Sequence, residues 1–303
     1  MFAVLGATGK VGYSAILKLR EAGAPVRAIL RDERRASDFR AIGCEVAFAD
    51  LQDATALSQA FADVDTVQII LPPPLMAEDA VGDMRRSIDN LANALDRARP
   101  NRLLAISDYG AHVGNWIGMP SVFRIFEERL RQLEMHKVFL RSVEHMEGWG
   151  LLIPAAIVTG VLPSLHHPIE MEFPTISALD LGLIAADLLL GPNGGADVQI
   201  VHGEGPLRYS ACDVAAALSQ LRGSTITAQA LPRSQWEESL GRVLSASATK
   251  LLIDLYDAHN KGGLVDIEPN MGEIRCGTSE LIDALRPLVP AAVDVRTEPS
   301  MIA

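Results

Sequence analysis

Aromatic side chains are scarce in this sequence, only 5% of residues, so a surface for stacking bases or sugar rings would have few rings to use. Basic charge is short as well. Lys and Arg number 27 against 38 Asp and Glu, a formal net charge of −11. Such a chain repels a phosphate backbone, and no direct nucleic-acid partner is expected. The densest basic run, Arg31 to Arg40, holds four Arg but also three acids, enough to receive one phosphate group and a poor footprint for a duplex. Cysteine appears only at Cys44, Cys212 and Cys276, never at metal-ligand spacing, which points to inert thiols in a reducing compartment and to no metal site. Long apolar runs are missing too. The most apolar stretch, Leu179 to Leu190, is broken by Asp180, Gly182 and Asp187, and falls short of the roughly 18 residues of a membrane span. Phe2 to Leu5 is too short for a secretory leader and runs straight into Gly6. These absences describe a soluble cytoplasmic protein that does not enter the membrane.

What is present is a core. Apolar residues make up 49% of the chain and charged residues 21%, enough to fill the interior of a large α/β domain. The first half alternates short apolar runs with helical periodicity. Strands are expected at Phe2–Leu5, Val26–Leu30, Glu45–Ala49, Thr66–Leu71, Arg102–Ser107 and Val138–Val143. Helices are expected at Lys10–Ala22, from Asp53 to Phe61, at Asp83–Arg99 and at Ser121–Glu134. Strands joined through helices need crossover connections, so the sheet should be parallel and doubly wound, a Rossmann-type α/β fold. After residue 147 the rhythm changes around Pro154, Pro163, Pro168 and Pro174. The expected division is a dinucleotide-binding domain over 1–147, with a returning helix and strand near 178–203, and a smaller, mostly helical substrate-binding subdomain over 148–303.

The first strand ends in Gly6-Ala7-Thr8-Gly9-Lys10-Val11-Gly12. A glycine at a strand end permits a tight turn, a second admits a diphosphate against the bare backbone, and a third lets helix and strand pack closely. The helix that starts near Lys10 then directs free N–H groups and the positive end of its dipole at the phosphates. The pattern alone is weak evidence, but a strand precedes it and an amphipathic helix and second strand follow. The second strand ends at Leu30 and is followed at once by Arg31, with Asp32 behind it. An acid at this place bonds the ribose 2′-hydroxyl, whereas an arginine receives a 2′-phosphate, so NADP(H) is favoured over NAD(H).

Together with Arg31, the glycine-rich turn and Ala49-Asp50-Leu51-Gln52-Asp53 resemble the NmrA-like branch of the atypical short-chain dehydrogenases. The likeness continues through Asn90-Leu-Ala-Asn-Ala-Leu95, Arg141-Ser-Val-Glu-His-Met-Glu147, Ile176-Ser-Ala-Leu-Asp-Leu-Gly182 and Leu255-Tyr-Asp-Ala258, and so spans nearly the whole chain. That branch contains quinone-reductase-like and triphenylmethane-reductase-like enzymes and the redox-sensing NmrA regulators. The resemblance implies a cleft between a Rossmann domain and a substrate subdomain. It implies that Asp50 and Leu51 flank the adenine, that Leu71 and Pro72 line the cofactor, and that Ser107 ends the fifth strand beneath the nicotinamide. Glu144 and His145 would stand beside the nicotinamide ribose.

Short-chain dehydrogenases usually protonate substrate oxygen with a Tyr-x-x-x-Lys pair, and this sequence has none. Tyr109 follows Ser107 by two residues, too early for the usual helix, and Arg124 aligns where many relatives carry the helix Lys. Arg stays charged at any working pH, so it can hold an anion but cannot donate a proton. Tyr109, His112, Arg124 and His145 are the candidate catalytic residues. His166 and His167 are further groups that could carry protons, but as neighbours in extended chain they should point in different directions and make a poor metal pair. Hydride transfer itself needs no protein acid if the acceptor is a quinone or an extended cation. The expected function is therefore NADP(H)-dependent reduction of a quinone-like or conjugated aromatic small molecule. The alternatives are an NADP(H)-sensing regulator that acts on a protein partner without turnover, and an enzyme that uses bound cofactor for net non-redox chemistry. Homodimers are common in the broader superfamily, but nothing in this sequence demands one.

Overall fold

The computed structural model describes residues 1–192 and 196–290. The first half alternates as its periodicity predicts, with one further short helix, α2, that is not among those expected: β1 (Phe2–Leu5), α1 (Lys10–Glu21), β2 (Val26–Leu30), α2 (Ala36–Ala41), β3 (Glu45–Phe48), α3 (Ala54–Ala60), β4 (Thr66–Ile69), α4 (Ala80–Ala98), β5 (Arg102–Asp108), α5 (Met119–Leu130) and β6 (His136–Ser142). Local chemistry sets the boundaries. Asp53 caps α3 by accepting from the Thr55 and Ala56 amides. The fourth helix begins three residues before the predicted Asp83, because the Asp79 side chain accepts from the Gly82 amide. The fifth begins at Met119, ahead of the predicted Ser121, with Pro120 in its first turn.

The second half adds β7 (Glu144–His145), α6 (Ile153–Thr159), β8 (Val161–Ser164), β9 (Phe173–Ile176), α7 (Ala178–Leu190), β10 (Val198–Glu204), β11 (Arg208–Tyr209), α8 (Ala211–Arg222), β12 (Thr227–Ala230), α9 (Trp236–Gly241), α10 (Ala246–Asn260), β13 (Glu273–Cys276) and α11 (Leu281–Leu285). Eight strands form one sheet in the order β13-β10-β6-β5-β4-β1-β2-β3. Every pair in it is parallel. The strand order reverses between β1 and β4, which is where an open α/β sheet forms its ligand crevice. This is the Rossmann-type sheet expected from the sequence.

The sheet has a buried apolar layer on each face. Val4, Ala28, Leu104, Val138 and Val201 pack beneath α1 and α7 on one side. Ala3, Val67, Leu103 and Phe139 pack beneath α3, α4 and α5 on the other. Helices α1 and α7 approach closely because Gly182 has no side chain: a Cβ there would overlap the Ser14 hydroxyl and the Val11 carbonyl. Ser14 Oγ donates to the Leu179 carbonyl across the contact at 2.8 Å. A third apolar cluster, built on Met146, Trp149, Leu162, Phe173 and Leu218, belongs to the second half.

Two features of the second half differ from a mostly helical subdomain. Small sheets, β11-β9-β7 and β12-β8, stand among its helices. The chain also returns to the large sheet a second time, at β13, after the returning strand near residue 203. Strand β13 escapes a reading by apolar alternation because all four of its residues are exposed. It is an edge strand, with Glu273 and Arg275 paired to each other on its surface, as sheet edges commonly are. The described residues contain no helix long and apolar enough to cross a membrane. They contain no group of three or more His, Cys, Asp or Glu able to hold a metal ion.

Candidate functional site

The glycine-rich turn leaves β1 at Leu5. Gly6 has φ +83°, a left-handed conformation that side chains other than glycine's rarely tolerate. The Gly9 amide donates back to the Gly6 carbonyl at 3.1 Å and closes the turn. Gly9 is the N-cap of α1 and offers no side-chain cap; the first backbone bond into the helix is from the Tyr13 amide to Gly9 O at 2.8 Å. The amides of the opening turn are thus left to an external acceptor, which the helix dipole requires to be negative. Gly12 is fixed by packing, since a Cβ there would overlap the Gly6 carbonyl oxygen and lie 2.9 Å from its carbon. Thr8 and Lys10 are exposed at the rim, and Val11 is buried under it. The Lys10 ammonium stands 3.7 Å from Glu147, whose other oxygen accepts from the Ala178 amide.

The other predicted cofactor contacts follow the carboxyl ends of the neighbouring strands. Arg31 is exposed directly after β2. Asp32 is occupied: it caps the short helical turn behind it and binds the Arg34 guanidinium through both oxygens, at 3.0 and 2.6 Å. That side-chain hydrogen bond holds the Asp32 carboxyl down at about 2. After β3, Asp50 accepts from the Gln52 amide, and the Asn90 amide group anchors the Leu51 carbonyl at 3.0 Å. After β4, Leu71 is buried and Pro72 exposed. A diphosphate at the turn, a 2′-phosphate at Arg31 and an adenine by Asp50–Leu51 fit this rim.

Beyond the rim, at the carboxyl ends of β4, β5 and β6, lies a cavity of about 550 Å³. Ile70 and Pro72, Phe123, and Trp149, Leu252 and Tyr256 give it apolar and aromatic walls, and no Lys or Arg lines it among the described residues. Its polar groups are Ser107, Asp108, Ser142, Glu144, His145, His166, Tyr256 and His259. Glu144 Oε2 is 3.1 Å from His166 Nε2. The His166 ring is stacked on Phe173 with centroids 3.6 Å apart, and meets Tyr256 and His259 edge-on at 4.9 and 5.4 Å. Burial alone would raise the Glu144 pKa, but His166, with His259 and His145 behind it, brings it below the ordinary value, so it is ionised. The opposite holds at Asp108, where burial, reinforced by the Glu127 and Glu144 carboxylates, pushes the pKa well above the ordinary carboxylate value. Burial and the neighbouring His166 lower His259 to about 4. Burial and the Glu144 carboxylate raise the Tyr256 phenol.

The four catalytic candidates are scattered by the fold. His145 borders the cavity with Nε2 3.3 Å from Ser142 Oγ, and burial lowers its pKa. Tyr109 borders it too, but its hydroxyl turns away to donate to Glu204 Oε1 on β10 at 3.2 Å, and burial next to that carboxylate raises its pKa. His112 is outside the lining, half-buried near Glu268 and Arg141. Arg124 is also outside it, on α5, 3.6 Å from Glu128. The Ser107 hydroxyl is committed elsewhere, donating to the buried Glu127 at 2.7 Å, and Arg141 clamps the same carboxylate through Nε and Nη2. Of the sequence-named site residues, Leu71, Pro72, Ser107, Tyr109, Glu144 and His145 meet at the cavity. His166, one of the histidines considered as proton carriers, joins them, and so do Asp108, Tyr256 and His259, which had not been singled out as site residues. Asp108 had a signal in its place next to Ser107 at a strand end, and Tyr256 lies in one of the shared motifs. His166 is buried while His167 is exposed, the divergence expected of neighbours in extended chain.

A parallel sheet that reverses between β1 and β4, with an uncapped glycine-rich helix start at the reversal, defines a dinucleotide-binding Rossmann protein. Residues 6–141 match the model of the NAD(P)H-binding family. The chain is 25% identical over 261 residues to an NAD(P)H azoreductase of Xenophilus azovorans, covering 84% of this chain and 86% of that protein. It is 24% identical over 277 residues to quinone oxidoreductase 2 of Escherichia coli, covering 90% and 93%. The structure of Citrobacter triphenylmethane reductase complexed with NADP(H) superposes with a TM-score of 0.79 at 19% identity, over 95% of this chain and 100% of that one. The resemblance carried by the ordered motifs, to quinone-reductase-like and triphenylmethane-reductase-like proteins, is borne out.

Proposed function

We propose that this protein is an NADPH-dependent oxidoreductase that delivers a hydride to a quinone-like or other conjugated aromatic small molecule. The observation that carries the reading is the cavity at the ends of β4, β5 and β6. It adjoins the cofactor rim, is walled by Ile70, Phe123, Trp149 and Tyr256, and is large enough for a flat aromatic acceptor. When bound, the reduced nicotinamide supplies the hydride. The chain's own residues bind and orient: the α1 amides hold the diphosphate, Arg31 the 2′-phosphate, and the apolar walls fix the acceptor and exclude water. Asp32 is engaged by Arg34, which leaves Arg31 to meet the ribose and favours NADPH over NADH. The names of the azoreductase and quinone oxidoreductase relatives support the same acceptor class.

The test is to mix purified protein with NADPH and a panel of quinones, azo dyes and aromatic ketones, and to follow absorbance at the reduced-nicotinamide band. Acceptor-dependent oxidation is the expected result. Tight NADPH binding with no oxidation across the panel would refute the enzyme reading and leave the sensing regulator. Conversion of a substrate with no net change in cofactor would leave the non-redox enzyme.

A further inference from the structure

We propose that Asp108 is the proton donor of the reaction, delivering a proton to the acceptor's heteroatom as the hydride arrives. This rests on the reductase reading of the cavity. Asp108 is the last residue of β5 and lines the cavity, opposite Ser142 in the β5–β6 register. Three of the other polar groups on the cavity are committed. The Ser107 hydroxyl donates to Glu127, the Tyr109 hydroxyl to Glu204, and Glu144 is paired with His166. The Asp108 carboxyl has no hydrogen-bond partner among the described residues. No Lys or Arg on the cavity wall stands ready to stabilise its anion.

The charged groups that face it are Glu127 from α5 and Glu144 from β7, both acidic, and with burial they favour the neutral acid. The two carboxyl groups of the cavity are thereby driven apart, Glu144 downward and Asp108 upward, so that Asp108 is the one that holds its proton more tightly. In the step itself, a quinone or azo acceptor gains a hydride from the reduced nicotinamide, and the O–H bond of Asp108 breaks as its proton passes to the acceptor oxygen or nitrogen. The products are the two-electron-reduced acceptor, oxidised coenzyme and the Asp108 carboxylate, which water reprotonates on product release. This assignment replaces the missing Tyr–Lys pair with a carboxylic acid at the end of β5.

The test compares two classes of acceptor in Asp108→Asn, after calorimetry has confirmed that the variant binds NADPH. A quinone needs both hydride and proton, whereas a triarylmethane cation is neutralised by hydride alone. The expected result is a fall in quinone turnover of about 100-fold or more, with a much smaller effect, under about 10-fold, on reduction of the cation. An infrared difference spectrum between wild type and variant at pH 7, without cofactor, should show the carbonyl stretch of a protonated carboxylic acid in the wild type. Asp108→Ser serves for both measurements if the Asn variant does not fold. Equal loss with both acceptors, no loss with either, or absence of the carboxylic-acid band would each overturn the proposal. Wild-type protein that oxidises NADPH with neither acceptor would instead remove the reductase reading on which it stands.

Discussion

Gly9 and Gly12 sit three residues apart on the same turn, yet replacement by alanine should have opposite consequences. At Gly12 the added methyl overlaps the Gly6 carbonyl oxygen and stands 2.9 Å from Gly6 C and 3.1 Å from the Ala7 Cα. All three are backbone atoms, so relief requires α1 to move off β1. Overpacking of this kind costs about 1–3 kcal/mol, or a drop in Tm of roughly 2–10 °C for a protein of this size. The same displacement carries the α1 amides away from the diphosphate, and an error near 1 Å in such a placement costs on the order of 100-fold. At Gly9 the methyl meets only the Gly6 carbonyl oxygen, at 3.5 Å. With φ −76° the backbone there suits any residue, so the fold should be indifferent to within about 0.5 kcal/mol. Cofactor binding should not be, because that methyl fills the space the phosphates approach. Scanning calorimetry for Tm and titration calorimetry with NADPH separate the two effects. Gly12→Ala should lose both stability and affinity, and Gly9→Ala affinity alone. A Gly9→Ala protein that binds NADPH like wild type would refute the cradle, and a Gly12→Ala protein with unchanged Tm would refute the packing argument.

Two further outcomes follow from charge. Arg31→Ala should weaken NADPH binding about 10-fold while leaving NADH nearly untouched, because it removes a partner for the 2′-phosphate only; equal weakening of both in calorimetric titration would remove Arg31 from that role. Acidification should destabilise the protein through its buried and half-buried histidines. His112, His136, His145, His202 and His259 all have pKa values lowered by burial, His259 to about 4. The unfolded chain takes up these protons near the ordinary value of 6.5 and the folded chain only at lower pH, so stability is full above 6.5 and is lost as pH falls toward 4. Asp108 acts with the opposite sign, since its raised pKa adds stability at low pH that disappears as pH rises, but it is one group against five. Urea unfolding between pH 7.5 and 4.5 should show the decline, with a shallower slope in His259→Gln; an unaltered slope would count against the assignment.

The parts of this molecule that follow a period were legible in its sequence. Six strands and four of the five helices between them are set by apolar runs and capping residues close together in the chain, and the glycine-rich turn is a local device. The cavity is not local. Asp108, Glu144, His166 and Tyr256 come from a strand end, a strand after it, a proline-rich loop and a late helix. Their proximity depends on how the second half folds over the first, which no spacing encodes. Residue type alone also misjudges commitment. Tyr109 looks like a proton donor until its hydroxyl is found bound to Glu204, and Arg124 occupies a suggestive alignment position while its side chain lies outside the cavity. Strand β13 was hidden because an exposed, charged edge strand lacks the alternation that marks a half-buried one.

The late return of the chain to the large sheet also bears on how the protein can be made and cut. Strand β10 docks along the whole of β6, from Val198 beside Lys137 to Gly203 beside Ser142, and β13 then covers β10. During synthesis the nucleotide-binding layer therefore waits for residues far downstream before its outer side is sealed. A fragment ending at residue 147 would carry the whole glycine-rich turn and still present a bare, apolar β6 margin, a template for joining other chains rather than a free-standing module.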